Sequence, residues 1–457
     1  MTPTELQHLY WRAGFGIDPK TLNELPSGRR KNVDALFRSS KKVSPLFIDL
    51  SFLDGVNPLD LKKFPSLAKE INEKNKDKIK ELSNKWINHM IDSREVLRER
   101  MTLFWANHFV CRDRNPKHFL QYNNTLRTYA LGDFRAFVKA VSKEASMLKY
   151  LNGKQNKKLK PNENFARELM ELFTLGEGHY SEKDIKESAK AFTGYNHNFE
   201  GAFMLRRLQH DYGFKTFFGK IGRFDGDDII DIILEQKQCA LFISEKIYRY
   251  FVNPVPNKAH IEAMAEVFYK DYNIETLMRF VFMSDWFYTN ENIGAKIKSP
   301  VEFLVGLAKT VPVKFERQRD LIFIQNLLGQ NLLNPPNVAG WKGDKSWIDA
   351  NTIMARLKLP SLLLNNAMIS FKEYGDFNDR FKDRYFKKSM NKLPFKTSPN
   401  WDLFLAKYKS VYTKELADFI IQGTINSGTL DYLNSLSKAS KRDYCVQLMS
   451  LPEYQMC

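Results

Sequence analysis

Ser93-Arg-Glu-Val-Leu-Arg-Glu-Arg-Met-Thr-Leu-Phe-Trp-Ala-Asn-His-Phe109 is the stretch on which the fold turns. Leu97, Met101, Phe104, Trp105 and His108 recur at steps of three and four, the spacing that lines one face of an α-helix and never one face of a strand. Upstream, the helical pattern reaches back to about Ser66 and breaks near Asp92-Ser93, so two helices are expected across 66–109. Downstream, the same periodicity predicts helices over about 117–131, 134–150, 163–175, 182–193, 227–236 and 238–252.

Start and stop signals agree with this reading. Thr2-Pro3-Thr4-Glu5 is a capping box with proline at the first helical position, and Gly14 ends the helix it opens. Asp18-Pro19 opens a second, short helix, and Ser299-Pro-Val-Glu302 is another capping box. Gly329 closes a helix that begins near Glu316, and Ser346 with Asp349 is expected to cap a further one. Asn334-Pro-Pro-Asn-Val-Ala-Gly-Trp341 cannot be helical, because two prolines and a glycine interrupt it. Alternation of period two is scarce, and Lys215-Thr-Phe-Phe-Gly219 is the best candidate for a hairpin arm. The basic, aromatic stretch from Asp376 to Asn400 reads as a linker or long loop. No repeat of solenoid length appears. The expected fold is an all-α, multi-lobed helical bundle with one irregular insertion near 196–226 and little or no β-structure. Three regions are expected: N-terminal helices in 1–115, a helical core in 116–365, and a basic linker with C-terminal helices in 366–457.

Composition narrows the function classes. Hydrophobic residues make up 43%, and 35 Phe with 19 Tyr provide large rigid pieces for a core. The formal charge of +17, from 70 Lys+Arg against 53 Asp+Glu, attracts polyanions, although Lys74, Lys76, Lys78 and Lys80 alternate with acids as on a solvated helix face. Lys154–Lys160 and Arg380–Lys392 are basic, but no zinc finger, RNP signature, phosphate loop or basic zipper accompanies them, which argues against nucleic-acid binding. Cys111, Cys239, Cys445 and Cys457 lie far apart, without metal-ligand or disulfide-scaffold spacing. The sequence opens without a visible signal peptide, and no apolar run approaches the roughly 18 residues a membrane span needs. A soluble, cytoplasmic protein is the expectation.

The helix expected at 163–175 carries the densest set of candidate site residues. At about 100° per residue, Phe165, Leu169, Leu172 and Phe173 fall on one side, and Asn164, Arg167, Glu168 and Glu171 on the other. Glu168 and Glu171 are one turn apart, so they could share a cation or a proton, and Gly176 and Gly178 would turn His179 back towards them. That cluster could hold a divalent metal ion or act as general acid and base, with His108 and His210 as further imidazole candidates. The plain alternative is a solvated face in which Arg167 pairs with Glu171, His108 is a core residue, and His210-Asp211 makes a local turn. Asp225-Gly-Asp-Asp228 lacks a calcium-loop pattern and reads as a helix cap. Trp341 and Trp347 could wall a ligand, or could simply pack a rigid connector.

Taken in order, Trp11–Gly16, Arg100–Phe109, Asn162–Gly176 with Gly178-His-Tyr180, Ala191–Gly194, His210–Gly219, Pro335–Trp341 and Leu451–Gln455 closely resemble the motifs of domain-of-unknown-function family 1800, a bacterial family. The chain departs from that pattern at Asn152, where relatives often carry Asp. The resemblance implies a helical fold and a protein partner similar to alkaline phosphatases and sulfatases, with export alongside that partner. Three functions are therefore expected in competition. The first is a helical component of such a two-protein system, with a polar pocket at 162–179. The second is an independent metal-dependent hydrolase or oxidoreductase, in which Asn164, Arg167, Glu168 and Glu171 carry catalysis and Glu168, Glu171, His108, His179 and His210 supply metal ligands. The third is a polyanion binder, resting on charge alone.

Overall fold

In the computed structural model, residues 1–365, 395–436 and 438–457 are described. Helices dominate them, and side-chain caps explain many of the helix starts. Thr2 and Glu5 close a reciprocal capping box on Pro3–Ala13, Asp225 and Asp228 do so on Gly226–Leu234, and Ser299 and Glu302 on Pro300–Thr310. Gly329 ends Gln318–Leu328 in the left-handed region at φ 84°. The helical stretch at 66–109 divides as its sequence implies, into Pro65–Asp92 and Val96–His108.

Three local expectations change. The span 134–150 is two helices, Phe134–Lys143 and Ala145–Tyr150, separated by Glu144 in an extended conformation. Asp349, not Ser346, caps Ala350–Leu364: its carboxylate accepts from the Asn351 and Thr352 N–H groups, while the Ser346 hydroxyl donates to the Gly343 carbonyl. Most of the loop expected over 376–400 lies outside the described residues, but its end, Thr397–Pro399, forms a strand.

Among the described residues, the β-structure consists of three two-stranded antiparallel ribbons with three residues per strand. Tyr195–His197 pairs with Phe203–Leu205, Lys215–Phe217 with Lys220–Gly222, and Val313–Phe315 with Thr397–Pro399. The first two make up the irregular insertion and include the expected hairpin arm at Lys215. Among the described residues, no helix is long and apolar enough to cross a membrane.

Elements from 1–115, 116–365 and 366–457 all contribute to one hydrophobic cluster, from Leu9 to Cys457. Two polar seams lock it. Glu99 takes a two-pronged ion pair from buried Arg127 and a hydrogen bond from the Trp86 indole, tying Pro65–Asp92, Val96–His108 and Pro116–Tyr129 together. The second seam runs through the chain ends. Arg12 donates to the Asn292 carbonyl, and the backbone at Lys296 and Lys298 pairs with Cys457 and Gln455. That crossing brings basic residues distant in sequence to one buried place.

Candidate functional site

The segment expected to be one regular helix at 163–175 changes winding midway. Asn164–Glu168 is α-helical, and Leu169–Thr174 is a π-turn. The Leu175 N–H reaches back five residues to the Met170 carbonyl at 2.8 Å, and the Thr174 hydroxyl donates to the Leu169 carbonyl at 2.5 Å. Such turns are rare and recur at functional positions. Its apolar members, Leu169, Met170 and Phe173, are buried, and Gly176 follows at φ 86° against the Phe242 ring, where an added Cβ would sit 2.9 Å from a ring carbon.

The polar members take separate partners. Arg167 pairs with Glu182 at 2.8 Å, not with Glu171. Glu171 accepts from the Tyr180 hydroxyl at 2.8 Å. Glu168 is half-buried, and its carboxyl is pushed up by burial and by the nearby Glu171. Asn164 and His179 are exposed.

Neither of the other two histidines joins them. His108 is buried, and because a carbonyl can only accept, its Nε2–H donates to the Phe173 carbonyl at 3.0 Å. Burial, then the Lys246 charge, lowers its pKa to about 3, so the ring is neutral. His210 is buried elsewhere, donating from Nδ1 to the Thr193 carbonyl at 2.7 Å. Among the described residues, no group of three or more His, Cys, Asp or Glu side chains could hold a metal ion. Of the five expected ligands, Glu168 and Glu171 stay near each other, while His108 and His210 are held apart by hydrogen bonds to the Phe173 and Thr193 carbonyls and His179 is exposed. Asn152 sits in the left-handed region at φ 58°, a conformation that Asn and Asp both tolerate, which suggests a backbone role for that position.

A hollow on the other side of the π-turn has a different character. A cavity of about 470 Å3 is walled by Phe104, Asn107 and His108, by Leu172 of the π-turn, by Lys246, Arg249 and Tyr250 of the Lys237–Phe251 helix, and by Trp341 and Trp347. Two hydrogen bonds clamp the Trp341 wall: Asn107 donates to the Trp341 carbonyl at 3.0 Å and accepts its N–H at 2.8 Å. Gly340 permits this, since at φ 73° a Cβ would stand 2.3 Å from Asn107 Oδ1. The Pro-rich connector is therefore pinned to the helix whose spacing announces the fold.

Lys296 and Ser299 also line the cavity, and Lys296 reaches a buried cluster of charge. Its Nζ lies 2.6 Å from Glu302 Oε1, and Arg100 pairs with the same oxygen. Burial would raise Glu302, but Arg100 and then Lys296 hold it down at about 2. Arg12, Lys298 and Arg356 are buried too and have no carboxylate of their own among the described ion pairs. Lys298 donates to the Tyr454 carbonyl at 2.7 Å, and Arg356 Nη1 to Gln455 Oε1 at 3.2 Å. Arg12 Nε and Nη1, and Arg356 Nε and Nη2, are buried without a hydrogen-bond partner.

Among the described ion pairs, Glu302 is therefore the carboxylate that Arg100 and Lys296 share, and Cys457 is the other negative group acting on Arg12, Arg100, Lys296 and Lys298. Sealing an unpaired cation from water costs several kcal/mol. Aromatic faces offset part of that cost: Lys298 sits 3.7 Å from the Tyr454 ring centroid and 4.0 Å from Trp11, and Lys296 4.0 Å from Tyr250. Burial also lowers Lys296 to about 8 and Lys298 to about 7. Lys246 and Lys342 add positive charge at the wall, where Arg249 is paired with Glu245 and Asp344 is the acidic member of the described lining. The arrangement suits an anion: donors without acceptors, surplus positive potential, and apolar walls that weaken screening.

Sequence reasoning singled out Trp341, Trp347 and His108, all of which line this cavity. It missed Arg12, Arg100, Tyr250, Lys296, Lys298, Glu302 and Arg356. One signal was available: Arg100 has Val96, Leu97, Leu103 and Phe104 as its helical neighbours three and four residues away, an apolar setting unusual for a charge that faces water.

A family model described as "Protein of unknown function (DUF1800)" matches residues 8–456. No curated protein matches the chain, and no solved structure does.

Proposed function

We propose, for a chain that belongs to the DUF1800 family of proteins of unknown function, that its work is to bind an anionic small molecule in the cavity between Trp341, Trp347 and Lys296. The ligand class is a carboxylate, phosphate ester or sulfate ester on a ring or apolar body. The head group would meet Lys296 and Ser299, and the body would lie against the tryptophans and Phe104. One observation carries this reading: Lys296 lines the cavity and is backed by Arg12, Arg100, Lys298 and Arg356, with Glu302 as the one side-chain carboxylate paired into the group among the described residues.

The partnership expected from the family resemblance fits the same chemistry. A phosphatase- or sulfatase-like partner handles esters of these acids, so a helical subunit that captures or presents them would complement it. The polar face at 164–171 then belongs to the outer side of the cavity wall, to whose lining the π-turn contributes Leu172.

Calorimetric titration with phenyl phosphate, phenyl sulfate and benzoate at low salt tests the reading. Binding should be saturable, salt-sensitive, and weakened at least tenfold in Lys296→Met, since a charge-assisted hydrogen bond contributes about 1.5–3 kcal/mol. Absence of heat with all three ligands would remove the proposal.

A further inference from the structure

The basic run Lys154–Lys160 and the irregular insertion have no part in the cavity, yet the fold joins them. Lys157 and Lys160 exchange backbone hydrogen bonds, making a tight turn with Lys158 and Leu159 at its tip. The Lys158 N–H then donates to the Gln209 carbonyl at 2.8 Å, fastening this tip to the short turn Arg207–Gln209. Leu159 is 96% exposed and Leu208 is 99% exposed, so two leucines stand in full contact with water on turns joined by that bond. Around them are Lys157, Lys158, Lys160, Arg206 and Arg207, all exposed and none in an ion pair with a described residue.

The following hairpin repeats the pattern. Thr216 stands opposite Ile221, so Phe214, Ile221 and Arg223 share one face of the ribbon, while Lys215 and Phe217 point inward and are buried. Phe214 and Ile221 are 67% and 72% exposed, and the Arg223 guanidinium lies 5.1 Å from the Phe214 ring centroid. An exposed apolar tip with a cation beside it thus occurs both at the joined turns and on the hairpin.

We infer that this face seats the protein on an anionic lipid surface, with Leu159 and Leu208 entering the acyl boundary and the five cations lying at the head-group level. Charge complementarity selects an acidic occupant. The shape selects a fluid one, because the leucines protrude from turns, and a bilayer needs no matching contour to accept a protruding side chain. This inference is independent of the anion-binding cavity, since none of these residues lines it.

Co-sedimentation of the full chain with phosphatidylcholine vesicles, with and without phosphatidylglycerol, tests it. Binding is expected only to the mixed vesicles and should fall as salt rises. Leu159→Ser with Leu208→Ser should weaken partitioning at least tenfold. Each of Lys157→Gln, Lys158→Gln and Lys160→Gln should weaken it about fivefold. These tips touch no core, so the thermal transition and the cavity's anion affinity should not move in any variant. Binding to neither vesicle, equal binding to both, or indifference to the leucine pair would each overturn the inference. So would tighter capture by polyuridylate that displaces the chain from vesicles, which would make the face a nucleic-acid surface.

Discussion

Replacing Glu302 with glutamine removes a single negative charge and almost no volume. Glutamine can still accept the Ser299 N–H, which Glu302 Oε2 takes at 2.6 Å, so the helix cap survives. What disappears is the counter-charge to Arg100 and Lys296. A carboxyl held at about 2 against an ordinary 4.5 corresponds to about 3 kcal/mol of differential stabilisation, and breaking a buried pair on one side typically costs about 3–5 kcal/mol. Both routes give the same order, so Glu302→Gln should lose about 3 kcal/mol of unfolding free energy at pH 7, read from urea denaturation by circular dichroism. The pH dependence has a definite sign. A depressed carboxyl contributes its stability above the unfolded value and loses it as pH falls towards the folded one. The gap between wild type and Glu302→Gln should therefore be full above pH 4.5 and close as pH falls towards 2. Millimolar sulfate should restore the variant more than it helps the wild type, by supplying the missing anion near Lys296. A loss under about 1 kcal/mol, or a gap that does not narrow in acid, would refute the charge cluster as described.

Other outcomes follow from the same geometry. Lys296 is lowered to about 8, so anion affinity should hold at pH 7 and decline as pH rises through 8, measured by calorimetry across that range; a flat profile would detach Lys296 from binding. Because Lys296 and Lys298 are lowered while unfolded lysines titrate near 10.5, the unfolded state binds more protons between about 7 and 10.5. Their burial penalty should fade across that window, and Lys298→Met should stabilise the fold more at pH 7 than at pH 10. Gly340→Ala forces a Cβ onto Asn107 Oδ1 at φ 73°; about 1–3 kcal/mol of strain and weaker binding of aromatic anions are expected, with inorganic sulfate less affected. Glu168→Gln and Glu171→Gln should leave anion affinity unchanged, and metal analysis of both and of wild type should find no stoichiometric ion; a bound divalent metal lost in either variant would reinstate the carboxylate cluster.

Glu302 shows where reading the chain succeeded and where it stopped. Its place in the Ser299-Pro-Val-Glu302 capping box follows from neighbours three residues apart, and the structure contains that box. Its pairing with Arg100 spans some two hundred positions, and nothing local in either segment announces it. The same holds at Asn107, which stands next to His108 at the end of the apolar stripe and holds Trp341 by two hydrogen bonds. Arg167 and Glu171 fail in the opposite direction. Their i,i+4 spacing predicts a pair, but the π-turn changes the phase between them, and each finds a partner beyond the helix in Glu182 and Tyr180.

Helix content, most of the caps, and the breaks at Gly and Pro were legible in the sequence alone, because each depends on side chains within a turn or two of one another. Which charges are buried, which histidines are neutral, and which hollow collects the cations were decided only in three dimensions. Those properties depend on solvent exclusion and on Coulomb interactions between segments that meet after the chain has closed on itself, and the energy of a lysine sealed beneath Tyr250 is set by its surroundings, not by its neighbours in sequence.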